Sequence, residues 1–259
     1  MDEGGCVYLK SLRRTILIIP AYNPPFYFVD YVKDLVENGF EYILVVDDGS
    51  RDESQKIFEA IKSLGGPRLE VLVHDKNMGK GRALKDAFKW VLDKQDILGP
   101  HLGVLCLDSD GQHLVEDVVK LDKVMTADHL WDRGLFESTI YLGRRNFDEA
   151  CVPFRNRYGN KFTRYIFRLL FGVKVGDSQT GMRGFPLGAL SDFKDLDGDR
   201  FEYEMNMLIE VSRLAYRIKE VDIKTHYVRD NSESHFRVFV DSFKIYRLIF
   251  RKFFAKFFN

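Results

Sequence analysis

Short, continuously apolar stretches alternate with amphipathic stretches along the first half of this 259-residue chain, and this alternation restricts the fold more than any other feature. The apolar stretches are rich in β-branched residues and are predicted to be buried strands, over 15–19, 42–46, 69–74 and 103–107. Between them, apolar residues at three- and four-residue spacing predict helices over 28–38, 52–64 and 80–93. The sequence therefore predicts an α/β fold, with a mostly parallel, Rossmann-like sheet that helices cover on both faces.

The second half of the chain continues this alternation at longer intervals. The predicted elements are a helix over 114–126, a polar segment around Trp131 and Asp132, a strand over 139–143, a helix near 158–171, a short loop, a helix near 201–214 and a strand near 218–227. No internal repeat or low-complexity linker interrupts the pattern. We expect one domain over 15–235, preceded by an extension over 1–14 and followed by a helical segment over 236–259.

The composition argues against several classes of protein. The 39 basic and 39 acidic side chains balance, which is unlike a globally basic nucleic-acid-binding protein. The three cysteines lie far apart without metal or redox spacing, which indicates a reducing, cytosolic environment and structural burial of Cys106. The N-terminus does not resemble a signal peptide, and no apolar run approaches the ~18 residues that span a bilayer. We therefore expect a protein that is soluble or attached only at a membrane surface.

Polar motifs follow the four predicted strands, at the edge of an α/β sheet where ligands bind. PAYN follows the first strand, DDGSRD the second, NMGKGRA the third and DSDGQH the fourth. Each motif alone is typical of an ordinary turn, because Asp, Asn and Gly are frequent in loops. Four of them at one edge of a sheet indicate a nucleotide site.

The residue types in the first three motifs suit the parts of a nucleotide. Pro20 and Tyr22 offer a surface for a flat base, while Asp47 and Asp48 offer acceptors for base N–H groups or ribose hydroxyls. Lys80 begins a predicted helix, where its ammonium group and the helix N-terminus both favour a phosphate.

The fourth motif indicates a metal. Asp108 and Asp110 are one residue apart at the end of a buried strand, and their charges repel unless a cation lies between them. Alternate residues of an extended chain share a face, so we expect both carboxylates on one side, with Gln112 nearby. Such oxygen ligands suit Mg²⁺ or Mn²⁺, which bind few protein groups together with substrate phosphates. For His113 we favour a local hydrogen bond over direct ligation.

The motifs IIPAYNP, VVDDGSRD, NMGKGRA, LDSDGQH, DSQTGMRGF and FEYEMNM resemble the successive signatures of inverting family 2 glycosyltransferases. Within that family the sequence is most similar to the polyprenyl- and dolichyl-phosphate glycosyltransferases, roughly over residues 15–245. The resemblance implies a nucleotide-diphospho-sugar transferase (GT-A) fold, a nucleotide-sugar donor and a requirement for Mg²⁺ or Mn²⁺.

The resemblance also implies roles for individual residues. Asp48 contacts the base beside Pro20 and Tyr22, and Asp108, Asp110 and Gln112 hold the metal and the diphosphate. The candidates for binding a phosphate, including that of the acceptor, are Arg145, Arg155 and Arg157. The residues expected to face the sugar and the acceptor are Asp177, Gln179, Thr180, Arg183, Glu202 and Glu204. For the two glutamates, a solvated helix face is the alternative.

Residues and resemblance together suggest a single inverting displacement at the anomeric carbon, with polyprenyl phosphate as acceptor. Asp110, Arg145, Asp177 and Glu202 are the expected catalytic residues, and UDP-glucose is favoured over GDP-mannose as donor. A phosphomonoester is already ionised at neutral pH, whereas an alcohol acceptor would require a base such as Asp177 or Glu202.

Three other functions compete with this one. A family 2 transferase acting on a glycan or protein, in cell-surface polysaccharide synthesis, is the main alternative. A sugar-1-phosphate nucleotidyltransferase is disfavoured because PAYNPP stands where those enzymes have a glycine-rich loop. A nucleotide-sugar-binding module without activity is disfavoured because the acidic residues, Lys80 and the SQTGMRG segment are all present.

The segment 236–258 combines aromatic and basic residues at helical spacing. Its aromatic residues recur every three or four positions, and Lys and Arg lie on its other sides. Such a helix binds a membrane interface that contains anionic lipid, and the alternative is a helix docked on its own domain. We expect a cytoplasmic protein, peripheral on the inner face of the membrane, that reaches its lipid through this segment or with a separate membrane protein as partner.

Overall fold

The computed structural model describes residues 13–64, 68–99, 101–146, 154–172, 174–224 and Arg247. Residues 1–12 and the rest of the tail over 236–259 lie outside these ranges, so what the sequence predicts for them stays a prediction. The strands are β1 (Thr15–Ala21), β2 (Ile43–Asp47), β3 (Leu69–Val73), β4 (Gly103–Cys106), β5 (Thr139–Arg145), β6 (Arg183–Pro186) and β7 (Arg217–Ile223).

The helices lie between these strands. They are α1 (Phe28–Glu37), α2 (Asp52–Ser63), α3 (Lys80–Asp93), α4 (Gln95–Leu98), α5 (Val115–Trp131), α6 (Arg133–Glu137), α7 (Phe154–Phe171), α8 (Leu190–Phe193) and α9 (Glu202–Arg213). The described strands form one seven-stranded sheet in the order β3-β2-β1-β4-β6-β5-β7. All neighbouring pairs are parallel except those of β6, which runs antiparallel to both β4 and β5.

Apolar layers cover both faces of the sheet, as the uniformly apolar strands predict. In β1, Ile16 and Ile18 pack in a cluster with side chains of α3, α8 and α9, such as Phe88. Leu17 and Ile19 point to the other face, where a second cluster includes side chains of α1, α2 and α5, such as Phe28. The predicted α/β fold and the GT-A architecture are therefore confirmed, and the motif-bearing loops meet at the carboxyl edge of β1 to β4.

The strand β6 corrects the prediction of a loop over the SQTGMRGF segment. Two glycines and a proline disfavour a strand by propensity, so the pattern alone did not indicate one. Glycine instead allows close approaches on both sides of this strand: a Cβ at Gly184 would lie 2.5 Å from the sulfur of Met125 in α5, and a Cβ at Gly103 of the neighbouring β4 would lie 2.1 Å from the carbonyl oxygen of Phe185. The chain forms a strand here because it fills the space between β4 and β5.

The helices also differ from the prediction around residue 130. The helix predicted over 114–126 extends to Trp131, and the predicted polar segment ends α5 and starts α6. Asp132 makes this possible, because its side chain accepts a hydrogen bond from the backbone N–H of Leu135 at 2.9 Å and so caps α6. Across the described ranges, no helix has the length and apolar character needed to cross a membrane.

Candidate active site

The acidic pair after β2 is buried and bonded within the protein. Asp47, fully buried at the end of β2, accepts hydrogen bonds from the N–H of Ser50 at 2.8 Å and from Nε2 of Gln55 at 3.3 Å. Asp48 accepts hydrogen bonds from the N–H groups of Met78 at 2.9 Å and Gly79 at 2.7 Å. Both carboxylates therefore fix the turns around them, and their predicted contacts with a base or ribose stay predictions.

The N-terminus of α3, where the sequence predicts a phosphate site, makes several contacts within the protein. Gly79 is the residue before α3, and its N–H already donates to the Asp48 carboxylate. The N–H of Arg82 donates to the carbonyl oxygen of Asp199 at 2.9 Å. A Cβ at Gly81 would lie 2.5 Å from Cβ of Tyr203, so the chain before α9 packs directly on this helix end. The N–H groups of Gly79 and Arg82 are therefore already bonded, and the predicted contact of Lys80 and this helix end with a phosphate stays a prediction.

His74 follows β3 and joins Asp48 to α3. Its Nδ1 donates to Oδ1 of Asp48 at 2.9 Å, and its Nε2 lies 3.3 Å from Oδ2 of Asp86 without hydrogen-bond geometry. The hydrogen bond to Asp48 raises the pKa of His74, burial and Arg82 lower it, and the charges of Asp48 and Asp86 make the net shift upward. The protonated imidazolium is therefore the form that the fold favours.

We expect the free energy of unfolding to depend on His74 in a pH window that follows from this shift. Since the pKa in the folded protein lies above the unfolded value of about 6.5, the stabilisation is fully present below pH ~6.5 and is lost as the pH rises through the folded pKa. In urea unfolding at a series of pH values from about 6 to 9, the difference between the unmodified protein and His74→Gln should shrink as the pH rises. A difference that stays constant would contradict the assignment.

Lys80 lies at the centre of the site. Its Nζ is 2.6 Å from Oδ1 of Asp108 and 2.9 Å from Oε1 of Glu204. Burial alone lowers the pKa of Lys80, but the two carboxylates more than reverse this effect, and the net shift is upward. Lys80 therefore stays charged and joins the loop after β4 to α9.

The DSDGQH segment forms a tight loop rather than an extended strand, since β4 already ends at Cys106. Asp108 contacts Lys80 through one oxygen, and its Oδ2 lies 3.1 Å from Nε2 of His113. Asp110 accepts the N–H of Gln112 at 3.0 Å through Oδ1, and no described donor reaches its Oδ2. The predicted local hydrogen bond of His113 is confirmed, and Cys106 is buried as expected.

The pKa values of the two carboxylates in this loop are shifted in opposite directions. Burial alone would raise the pKa of Asp108, but Lys80 above all, together with Arg145, lowers it below the usual range. Burial and the negative charge of Asp108 raise the pKa of Asp110. Burial also lowers the pKa of His113 to about 4, so this imidazole is neutral and does not balance the acids. Asp110 thus lacks a positive partner of its own.

The loop before β6 packs directly against Asp108. A Cβ at Gly181 would lie 2.1 Å from Oδ2 of Asp108. Arg183 is buried, and its guanidinium donates to the carbonyl oxygens of Thr180 at 2.9 Å and of Glu204 at 2.6 Å. Arg183 therefore ties this loop to α9, and the sugar contact that the resemblance implies for it stays a prediction. Thr180 is buried as well, while Gln179 is exposed.

Arg145 and Asp177, which the sequence assigns to a phosphate and to catalysis, lie against each other. The Arg145 guanidinium donates to both carboxylate oxygens of Asp177, at 2.6 Å through Nε and at 3.1 Å through Nη2. Asp177 is fully buried and also accepts the N–H of Gln179 at 2.9 Å. This two-point ion pair connects β5 to the loop before β6.

The two glutamates of α9 point in different directions. Residues two apart on an α-helix are separated by about 200°, so both cannot face one sugar. Glu204 is buried against Lys80 and lies 3.9 Å from Nε of Arg183. Glu202 accepts a 3.4 Å hydrogen bond from the N–H of Arg200 through Oε1, and its buried Oε2 has no hydrogen-bond partner. Of the two glutamates, therefore, only Glu204 contacts Lys80 in the described part of the structure.

The remaining predicted residues lie at the borders of the site. Pro20 is buried within β1, and Tyr22 is partly exposed in the loop that follows. Arg155 and Arg157 belong to α7, but their side chains lie outside the described part of the structure.

Comparison with known proteins agrees with this geometry. A model described as Glycosyl transferase family 2 matches residues 16–130. The chain is 32% identical to an uncharacterized protein of Methanocaldococcus jannaschii, over 92% of each chain. The chain belongs to glycosyl transferase family 2. It is also 29% identical to UDP-N-acetylglucosamine–dolichyl-phosphate N-acetylglucosaminyltransferase of Methanococcus voltae, over 91% of this chain and 95% of that one. A solved mannosyl-3-phosphoglycerate synthase from Rubrobacter xylanophilus shares the fold, with a TM-score of 0.59, 15% identity, and coverage of 94% and 73% of the two chains.

Three residues of this glycosyltransferase contact the site although the motifs did not single them out. His74 follows β3 at the same sheet edge as the motifs, so its position was a usable signal. Tyr27 donates its hydroxyl to the carbonyl oxygen of Asp110 at 2.9 Å, and Glu220 accepts the N–H of Gly176 at 2.6 Å before the Asp177 loop. Nothing in the local sequence distinguishes Tyr27 or Glu220 from ordinary helix-end and strand residues.

Proposed function

We propose that this glycosyltransferase transfers a sugar from a nucleotide-diphospho-sugar to a polyprenyl phosphate, with inversion at the anomeric carbon. The observation that carries the proposal is the position of Lys80 between Asp108 and Glu204, at the sheet edge where four motif-bearing loops meet. The name of the Methanococcus voltae relative, which includes a UDP-sugar and a dolichyl phosphate, supports the same class of donor and acceptor.

The acidic loop fits a hard divalent cation, Mg²⁺ or Mn²⁺. Asp110 is poorly compensated, since burial and Asp108 raise its pKa and no described donor reaches its Oδ2. No cluster of three or more His, Cys, Asp or Glu suited to a metal occurs in the described ranges, so a cation here would have two carboxylates and Gln112 and would share the rest of its coordination with a diphosphate. When bound, it would supply neutralisation of the charge that develops on the leaving diphosphate.

The residues of the chain account for the rest of the donor site. The permanently charged Lys80 lies where it can exchange a carboxylate contact for a phosphate oxygen, which stabilises the leaving group. Glu204 and Arg183 hold that ammonium and the neighbouring loop in place. We favour UDP-glucose as donor, with GDP-mannose and UDP-N-acetylglucosamine as the other candidates.

The described residues favour a phosphate acceptor over an alcohol. An alcohol requires a base, yet Asp177 is held at both oxygens by Arg145 and Glu202 faces its own loop. A phosphomonoester with a second pKa of ~6 is already an anion. One of its oxygens forms the new bond to the anomeric carbon, while the bond to the diphosphate breaks and its electron pair leaves with the nucleoside diphosphate. Arg155 and Arg157 are our candidates for orienting this phosphate.

The location that we propose is the cytoplasmic face of a membrane, where a water-soluble donor and a lipid phosphate meet. The support is the sequence of the tail over 236–258, whose aromatic and basic residues suit an interface with anionic lipid. A separate membrane protein is the other route to the lipid.

A transfer assay tests the proposal. The purified full chain is incubated with a short polyprenyl phosphate, Mn²⁺ or Mg²⁺, and each of a panel of UDP- and GDP-sugars, and the lipid fraction is analysed by mass spectrometry. We expect a glycosyl-phospholipid that requires the metal and one nucleotide sugar. The matched control is the same polyprenol without its phosphate, which should give no product. Transfer to the alcohol, or donor turnover without a lipid product, would contradict the phosphate acceptor and favour a glycan or protein.

A further inference from the structure

The loop between β1 and α1 connects the two acidic loops of the site. Because β1 lies between β2 and β4 in the sheet, its loop emerges between theirs. On the β2 side, the N–H of Asn23 donates to Oγ of Ser50 at 2.9 Å, and the N–H of Arg51 donates to Oδ1 of Asn23 at 2.8 Å. The connection is therefore anchored before it reaches the DSDGQH loop.

On the β4 side the connection is made by Tyr27. Its hydroxyl donates to the backbone carbonyl oxygen of Asp110 at 2.9 Å. Its ring lies against Gly111, whose φ of +71° favours glycine and where a Cβ would approach the ring to 2.9 Å. The carboxylate of Asp110 is held separately by the N–H of Gln112. Tyr27 is thus the described side chain that fixes the backbone of Asp110, 83 residues away in the chain.

Tyr31 lies one turn further along the chain, within α1, and is less exposed than Tyr27. Its hydroxyl oxygen is buried and has no hydrogen-bond partner. The start of α1 therefore has two phenols nearby, Tyr27 just before the helix and Tyr31 within it, of which only Tyr27 is hydrogen-bonded to the acidic loop. This provides a matched pair of substitutions, because Tyr→Phe removes a single oxygen at each position.

We propose that Tyr27 is a positioning residue that sets the backbone of Asp110 and Gly111, and with it the placement of the Asp110 carboxylate relative to Asp108 for a divalent cation. The inference rests on the metal site of the proposed function. Without this bond the backbone of Asp110 and Gly111 is less ordered in the metal-free protein and has to be ordered when the cation binds, so Tyr27→Phe should weaken cation binding about threefold to tenfold.

The experiment compares the unmodified protein, Tyr27→Phe and Tyr31→Phe. Calorimetric titration with Mn²⁺ alone gives the dissociation constant, and thermal unfolding without metal gives the intrinsic stability. We expect Tyr27→Phe to raise the Mn²⁺ dissociation constant about threefold to tenfold while the metal-free melting temperature stays within about 2 °C. Tyr31→Phe should leave Mn²⁺ binding unchanged. In the transfer assay, saturating Mn²⁺ should restore most of the activity of Tyr27→Phe.

Each other outcome overturns the inference in a distinct way. Equal Mn²⁺ affinity of Tyr27→Phe and the unmodified protein removes the positioning role and leaves the proposed function intact. A large fall in the metal-free melting temperature of Tyr27→Phe assigns the residue to stability alone. Equal weakening by both variants shows that the bond to Asp110 is not the cause. If the unmodified protein does not bind Mn²⁺, the metal site of the proposed function fails and the inference fails with it.

Discussion

Asp110→Asn is expected to lower the rate of sugar transfer roughly a thousandfold while the protein stays folded. The amide has the shape of the carboxylate and keeps the oxygen that accepts the N–H of Gln112, but it removes the negative charge that would bind a divalent cation. Metal stabilisation of a leaving group contributes several kcal/mol, and each 1.36 kcal/mol corresponds to a factor of ten in rate. Transfer is measured at saturating donor and metal, and folding is checked by thermal unfolding.

The stability of Asp110→Asn separates a charge effect from a folding defect. Burial and Asp108 raise the pKa of Asp110, so the ionised side chain costs the metal-free fold free energy at neutral pH. The neutral amide removes this cost, and the metal-free melting temperature should be equal or higher. Asp93→Asn, the same change at the exposed end of α3, is the control and should alter neither property. An active Asp110→Asn enzyme that no longer needs metal would overturn the assignment of the acidic loop.

The sequence predicted the fold well because the fold depends on local patterns. All six predicted strands are present, and so are the six helices predicted within the described residues, since continuous apolar runs and helical spacing are patterns of neighbouring residues. The strand β6 was missed because Arg183–Pro186 forms it only by filling the space between β4 and β5. The signal in the sequence was indirect. Gly184 is needed in β6 because Met125 packs against it, but a glycine in a sequence indicates a loop just as well as a close approach.

The candidate site was predicted by residue type but only partly by role. Lys80 and Asp108 lie together because the loops after β3 and β4 meet at the carboxyl edge of the sheet, whereas the contact of Glu204, from α9, with Lys80 was not predicted. Which partner each side chain takes depends on distances between remote segments. The bond of Asp48 to the start of α3 and the ion pair of Arg145 with Asp177 span about 30 residues each, and no local pattern encodes them.

These internal pairings suggest how a charged site can be stable before its ligands bind. Most acids of the site have strong described partners: Asp48 has two backbone N–H groups, Asp177 has Arg145, and Asp108 and Glu204 share Lys80, whereas Asp110 has only the N–H of Gln112. A buried charge without a partner costs several kcal/mol, so these contacts preorganise the site. Asp110 has one hydrogen bond and no described ion pair, so it is the acid that a positively charged ligand would stabilise most.

Gly181→Ala is the second change with a large expected effect, because the single methyl group that it adds would collide with the carboxylate of Asp108. The new Cβ would lie 2.1 Å from Oδ2 of Asp108 and 2.5 Å from its Cγ. Asp108 cannot move away without losing its contacts with Lys80 and His113. We expect transfer to fall about a hundredfold, since a displacement near 1 Å in a site costs this much, and the free energy of unfolding to fall by about 1–3 kcal/mol.

A double-mutant cycle shows whether the clash with Asp108 is the cause. Urea unfolding is measured for Gly181→Ala in the unmodified protein and in Asp108→Ala, where the carboxylate that the methyl would meet is absent. The loss of stability should be much smaller in the second background, because the three atoms nearest to the new methyl all belong to Asp108. Gly134→Ala is the control: its Cβ meets only Oδ1 of Asp132 at 3.5 Å, so this change should cost no stability. Equal losses of stability in both backgrounds would show that the strain of Gly181→Ala arises elsewhere in the loop and not from the clash with Asp108.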